Sequence, residues 1–177
     1  MTPQVDAGDV ILQRAVPIAD GETAGELEAR LATEGARLLV ETLDGIAAGI
    51  ASRRPQTGPA SYAPKLRPAD FRIDWDRPAG DIERLIRAGS PRTPAWTLFR
   101  GERLQILRGR ARDGGAAGAG EVLAVEKGGI VVSTRNGAVI LSEVRPAGKR
   151  AMSGWAFANG HRLRAGDLLT PPQSGDA

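Results

Sequence analysis

The chain has 177 residues, of which 41% are hydrophobic and only 4% aromatic, so a core would be built mainly from aliphatic side chains. It contains no cysteine, which excludes disulfides, thiolate metal sites and cysteine nucleophiles and favours a reducing compartment. No apolar run approaches the roughly 20 residues of a membrane span, and the N-terminus lacks a signal-peptide pattern, so the sequence predicts a soluble cytoplasmic protein with no membrane partner.

The net charge of +3 conceals a division along the chain. Residues 1–50 hold three basic and nine acidic residues, net −6, whereas the rest holds 21 basic and 12 acidic residues, net +9. This asymmetry favours two units, of which the second suits a polyanion such as a nucleic acid. A solvated basic surface is the alternative interpretation.

The chain opens on an acidic, glycine-containing turn, Val5-Asp6-Ala7-Gly8-Asp9, followed by the apolar run at 10–12. Such a turn places a carboxylate at the mouth of a strand. Asp6 is therefore the candidate catalytic residue, as a general base or an electrostatic stabiliser. A turn-capping aspartate explains the same residue equally well, and Asp9 is the expected cap.

Residues 15–18 predict a second extended piece. Thr23 to Glu26 form a capping box, and leucines at helical spacing then run to Ile46. Gly35 predicts a kink or two short helices, and Gly49 predicts the end. The apolar stripe of this helix is expected to belong to the core.

Residues 51–68 carry four prolines and no periodicity, which predicts a linker. Beyond Phe71, a helix is expected from near Pro78 to Gly89. Hydrophobic residues then recur at every second position, which predicts strands, and Asn136-Gly137 predicts a hairpin turn. A short helix is expected over 152–159. The predicted strands are 96–99, 104–107, 121–125, 130–133 and 139–141. Five short strands with regular turns predict a small barrel such as an OB fold.

Few residues suggest catalysis in the second unit. His161 is the only histidine and the acids are scattered, so we predict no metal site and no Ser-His-Asp set. Basic residues in loops or near element ends could instead contact phosphates: Lys65, Arg67, Lys127, Lys149, Arg150, Arg162 and Arg164. The low aromatic content argues against base stacking on single strands, so folded RNA fits better.

Several motifs occur in the order found in one enzyme family: MTPQVDAGDVILQ, SYAPKL, RIDW with LIRA, AWT with GERLQIL, VRPAGKRAM and FANGHRLRAGDLL. Together they cover nearly the whole chain, which resembles the C-terminal portion of methionyl-tRNA formyltransferase. The resemblance implies an enzyme that moves a formyl group from 10-formyltetrahydrofolate to the amino group of methionyl-initiator tRNA. It assigns Asp6 to the family's Asn, His and Asp catalytic set.

The family's Asn-x-His motif and most of its folate site have no counterpart here, so the resemblance implies a truncated chain that is inactive alone. The implied fold is α+β. A C-terminal remnant of a Rossmann-like formyltransferase domain (1–50) and the linker (51–68) precede an OB-like tRNA-binding domain (69–170) and a disordered tail (171–177). Self-association through the exposed truncated sheet is expected. A non-catalytic tRNA-binding module and a sugar-nucleotide N-formyltransferase relative remain the alternatives.

Overall fold

A computed structural model describes residues 5–115 and 117–171. The chain divides into two compact units. Within the described residues, the first comprises 5–20 and 26–65, and the second comprises 21–25 and 66–171. Residues 172–177, which make up nearly all of the predicted disordered tail, lie outside the described part of the chain.

The first unit contains one long helix, α1 (Ala24–Ala47), whose first two residues group with the second unit. The predicted kink at Gly35 is wrong, because α1 runs through that residue without interruption. One glycine costs a helix only about 1 kcal/mol, and its neighbours are good helix formers. Gly49 ends the helix as predicted: its φ is +71°, and Ile50 N–H bonds back to the Gly45 carbonyl at 3.0 Å.

The expectation that the α1 stripe is core is wrong for the described structure. No residue of α1 is buried. Four aliphatic side chains of the stripe are about half exposed, namely Leu31 at 46%, Leu39 at 59%, Leu43 at 55% and Ile46 at 49%. The prediction relied on helical spacing alone, which identifies an apolar face but not what covers it.

The predicted strands of the first unit are also missing. Residues 15–18 form no strand, and Val10 makes only an isolated antiparallel bridge with Arg54. The described part of 1–50 therefore contains no sheet whose edge could be exposed. Its exposed apolar side chains lie on α1 and on the segments that flank it, as at Ile18 and Ile50.

The second unit is a mixed α and β structure around one antiparallel sheet. A short 3-10 helix, Pro68–Phe71, precedes the other elements: α2 (Ala79–Gly89), β1 (Ala95–Phe99), β2 (Glu102–Arg112), β3 (Val122–Glu126), β4 (Gly129–Ser133), β5 (Ala138–Pro146), β6 (Met152–Ser153), α3 (Gly154–His161) and β7 (Leu169–Thr170). The strand order in the sheet is β3-β4-β5-β2-β1-β7, with β6 paired to β5. All five predicted strands are confirmed, and β2 and β5 extend beyond their predicted ends.

The sheet curls into a half-barrel, and its two outer strands meet at one end. Val122 N–H donates to the Asp167 carbonyl at 2.8 Å, and Gly166 N–H donates to the Val122 carbonyl at 2.9 Å. Leu169 N–H donates to the Gly120 carbonyl at 2.8 Å. These bonds pair backbone groups that an open edge would leave to solvent. Gly120 has a φ of +84° there, and a Cβ on it would lie 2.3 Å from the Leu169 carbonyl oxygen.

The core fills the concave side of this sheet. It combines aliphatic side chains of the strands with residues of α2 and α3, such as Ile82, Ile86 and Phe157. The predicted helix over 152–159 forms only after β6, where the Ser153 hydroxyl accepts a hydrogen bond from Ala156 N–H at 3.1 Å.

Candidate functional site

The turn that carries Asp6 is held by residues of the predicted linker. Gln56 Nε2 donates to the carbonyls of Asp6 and Gly8, at 2.9 and 2.7 Å. Val10 and Arg54 exchange two backbone hydrogen bonds of 2.9 Å each. Asp6 has a φ of +56°, a left-handed conformation that aspartate tolerates better than most residues. Sequence reasoning missed this use of 54–56, because loop composition does not show which backbone groups will pair.

No described residue completes a catalytic set around Asp6. Asp6 is exposed, and its carboxylate makes no hydrogen bond or ion pair within 5–115 and 117–171. Asp9 is likewise exposed, and its carboxylate caps no described backbone N–H, so the predicted cap is wrong. The turn presents a free carboxylate on a hydrogen-bonded loop. Such a group can orient a partner or a water but lacks a described acid or base beside it.

His161 occupies the last position of α3. Its ring stacks on Phe157 with centroids 4.2 Å apart, and its Nδ1 lies 3.0 Å from the Phe157 carbonyl oxygen, a hydrogen bond that requires the proton on Nδ1. These contacts give the histidine a local structural role. Among the described residues there is no group of three or more His, Cys, Asp or Glu side chains that could hold a metal ion. The same residues include no helix long and apolar enough to cross a membrane.

The seven basic residues predicted to contact RNA all lie in exposed connections. Lys65 and Arg67 precede the 3-10 helix, and Lys127 lies in the β3–β4 turn. Lys149 and Arg150 share the β5–β6 turn, and Arg162 and Arg164 share the segment between α3 and β7. Across the described ranges, none of the seven side chains makes a hydrogen bond or ion pair, so their charges remain available to a polyanion.

A different set of basic residues, Arg72, Arg103 and Arg145, was missed. Two of them contact Trp96: the guanidinium carbons of Arg103 and Arg72 lie 4.0 and 5.8 Å from the centroid of its ring. The alternation of core and outward-facing residues along the strands could have indicated two of them. Arg103 alternates with the core residue Leu104, and Arg145 follows the core residue Val144, so both face away from the core.

Comparison with known proteins assigns the family. Residues 65–162 match the family model described as "Formyl transferase, C-terminal domain". The chain belongs to this family. The match covers the short helix, the whole antiparallel sheet as far as β6, and α3.

Relatives named methionyl-tRNA formyltransferase confirm the resemblance over a longer stretch. The protein from Acidothermus cellulolyticus is 43% identical over 183 residues, which cover 94% of this chain and 56% of the relative. The protein from Moorella thermoacetica is 44% identical over 171 residues, which cover 96% of this chain and 55% of the relative. The chain therefore spans about half the length of these curated relatives.

Solved structures resemble the fold. A crystal structure of a HypX variant from Aquifex aeolicus matches with a TM-score of 0.73 and 21% identity, over 99% of this chain and 33% of that one. HypX in complex with tetrahydrofolic acid matches with a TM-score of 0.70 and 20% identity, over 96% of this chain and 32% of that one. At a sequence identity of 20–21%, this similarity is evidence for the fold alone.

Proposed function

We propose that the chain is the C-terminal part of a methionyl-tRNA formyltransferase. That enzyme would transfer a formyl group from 10-formyltetrahydrofolate to the amino group of methionyl-initiator tRNA. The observation that carries the proposal is the 43% identity to a protein of that name over 94% of this chain. The match of residues 65–162 to the C-terminal domain family supports the same assignment.

In this reaction the methionyl amine attacks the formyl carbon, and the bond from that carbon to the folate nitrogen breaks. A tetrahedral oxyanion must be stabilised, and the amine must lose a proton while the departing folate nitrogen gains one. Asp6 would orient a histidine or hold a water beside the amine, which requires a free carboxylate on a fixed backbone. The Gln56 bonds to the Asp6 and Gly8 carbonyls supply that fixed backbone.

We propose a separate role for each of three successive parts of the chain. Residues 1–50 would be the end of the catalytic domain, 51–68 the linker, and 69–170 the domain that holds tRNA. Lys65, Arg67 and the five basic residues of the second unit's loops would contact phosphates, because their charges have no intramolecular partner among the described residues. A net charge of +9 beyond residue 50 supports this assignment.

Formyl transfer can be tested with purified protein. We expect the 177-residue chain to bind tRNA but to yield no formyl-methionyl-tRNA from 10-formyltetrahydrofolate, because no described residue completes a catalytic set with Asp6. A fusion that adds the region preceding the match in the Acidothermus cellulolyticus relative should restore product. Product from the unfused chain would contradict the first expectation, and an inactive but folded fusion would contradict the enzyme assignment.

The role of Asp6 is separable within that fusion. Asp6→Asn should abolish formyl transfer and leave tRNA affinity unchanged, whereas the matched variant Asp9→Asn should keep both. Equal losses from the two variants would show that Asp6 has no special role.

A non-catalytic tRNA-binding module is the second candidate, favoured by the free carboxylate of Asp6 together with the charge division. It predicts salt-dependent tRNA binding by the chain and no formyl transfer even by the fusion.

For the purified chain we also propose self-association through the exposed α1 stripe. Sedimentation of a strictly monomeric species at high concentration would overturn that proposal.

A further inference from the structure

Trp96 in β1 is buried although it lies outside the main hydrophobic cluster. Its exposed fraction is 0%, yet it lies outside the hydrophobic cluster that contains its neighbour Ala95. Successive residues of a strand point to opposite faces of the sheet. Trp96 therefore lies on the face turned away from this cluster.

Two arginines and a backbone carbonyl surround the ring. The Arg103 guanidinium carbon lies 4.0 Å from the ring centroid and that of Arg72 lies 5.8 Å away, both within cation–π range. The indole Nε1–H donates to the Pro68 carbonyl at 2.9 Å. The indole thus holds two positive charges in place and has no exposed face on which a base could stack.

The described part of the chain supplies no counter-charge for these two arginines. In residues 5–115 and 117–171, neither Arg72 nor Arg103 forms an ion pair, and the buried Nε of each has no hydrogen-bond partner. Burial lowers the pKa of Arg103 below its ordinary value. Partly buried cations without a counter-charge are costly, so an anion bound beside them would relieve the cost.

A third arginine continues the same face across the sheet. Arg145 Nε donates to Gln105 Oε1 at 2.7 Å, which fixes its side chain without neutralising its charge. Backbone pairing places Arg72 opposite Trp96, Trp96 opposite Gln105, and Gln105 opposite Arg145. Three strand spacings of about 4.8 Å separate the ends of this row, so Arg72 and Arg145 lie roughly 14 Å apart along it.

We propose that Arg72, Arg103 and Arg145 form a phosphate-binding surface, here called the arginine face, that holds the backbone of a folded tRNA. This inference rests on the proposed tRNA substrate. The planar guanidinium fork suits phosphate oxygens. A row of roughly 14 Å exceeds one phosphate group, which favours a polymer with successive phosphates. The buried Trp96 ring offers no face for base stacking, which favours contact with the backbone, independent of RNA sequence.

The test measures tRNA affinity of the 177-residue chain by fluorescence anisotropy between about 50 and 200 mM salt. Removing one phosphate-binding charge should reduce the slope of log affinity against log salt by about 0.7–0.9. For Arg72→Gln, Arg103→Gln and Arg145→Gln combined, the slope should therefore fall by about two to three. Raising the salt should then weaken the wild type about 20- to 40-fold more than the triple variant.

The matched control variant removes the same number of positive charges, three, elsewhere in the second unit. Arg77→Gln, Arg84→Gln and Arg135→Gln combined should leave the slope unchanged, since these exposed residues lie just before α2, on α2 and in the β4–β5 turn rather than on the outward face of β2 and β5. Should the first triple variant melt early, Arg145→Gln alone serves, because the described Arg145 side chain makes one hydrogen bond, to Gln105, and no cation–π contact with Trp96. It should reduce the slope by about one and lower the melting temperature less than the triple variant does.

The outcomes separate this inference from the proposed function. Wild-type binding with equal slopes for both triple variants would overturn the arginine face and leave the tRNA substrate standing. If the wild type does not bind tRNA at low salt, both proposals fail. If polyglutamate of equal charge binds as tightly, and the same substitutions abolish that binding, the surface is a general polyanion site and the RNA assignment is wrong.

Discussion

A buried hydrogen-bond relay joins the start of the second unit to its last strand. Trp75 Nε1 donates to Thr97 Oγ1 at 3.0 Å, and Thr97 Oγ1 donates to the Thr170 carbonyl at 2.8 Å. Thr97 is 0% exposed and Trp75 is 1% exposed. Replacing Thr97 by valine keeps the shape of the side chain but removes both bonds.

The expected cost follows from what remains unpaired. The buried indole N–H of Trp75 would be left without its Thr97 acceptor, which costs about 1–3 kcal/mol. The Thr170 carbonyl belongs to an exposed residue, so water can partly replace the hydroxyl and the second loss is smaller. We therefore expect Thr97→Val to lower the free energy of unfolding by about 2–4 kcal/mol. For a domain of this size, each kcal/mol corresponds to about 4–8 °C in melting temperature.

Urea unfolding followed by tryptophan fluorescence measures this effect. Thr97→Ser, which keeps the hydroxyl, should cost only about 1 kcal/mol for the missing methyl group. In a Trp75→Phe background the donor is absent, so Thr97→Val should cost less than in the wild type, with a coupling energy of about 0.5–3 kcal/mol. Equal costs for valine and serine, or a coupling energy of zero, would refute the relay.

Other substitutions test the closure of the sheet and the exposed helix. Gly120→Ala should cost more than about 2 kcal/mol in unfolding free energy, because it combines a positive φ with a Cβ 2.3 Å from the Leu169 carbonyl oxygen. A Cβ added at Gly160 in α3 would have no atom within 4 Å, so Gly160→Ala should be neutral or stabilise by up to about 1 kcal/mol. Equal melting temperatures for Gly120→Ala and Gly160→Ala would contradict the described packing. On α1, Leu43→Glu should change the free energy of unfolding by less than about 0.5 kcal/mol and weaken self-association in sedimentation, because Leu43 is 55% exposed. Ile86→Ala, at 0% exposure, should instead cost about 2–5 kcal/mol in urea unfolding.

The sequence alone located most of the local structure. The period of two from Trp96 onward, the Asn136-Gly137 turn and the glycine after α1 each reflect a backbone requirement that few residues satisfy, so their meaning is local. The motif order likewise identified the family, and the charge division pointed to a polyanion. Local patterns of this kind need no knowledge of what packs against them.

Only the tertiary structure decided what covers each surface. Helical spacing in α1 predicted a core stripe, yet none of its residues is buried, because spacing does not specify a covering partner. Composition predicted basic loops as the RNA contacts, which stays a prediction, and it gave no sign of Arg72 and Arg103, whose buried Nε atoms lack a hydrogen-bond partner beside Trp96. Those arginines come together through strand pairing between residues far apart in sequence, and burial without a counter-ion is a property of that pairing rather than of any segment.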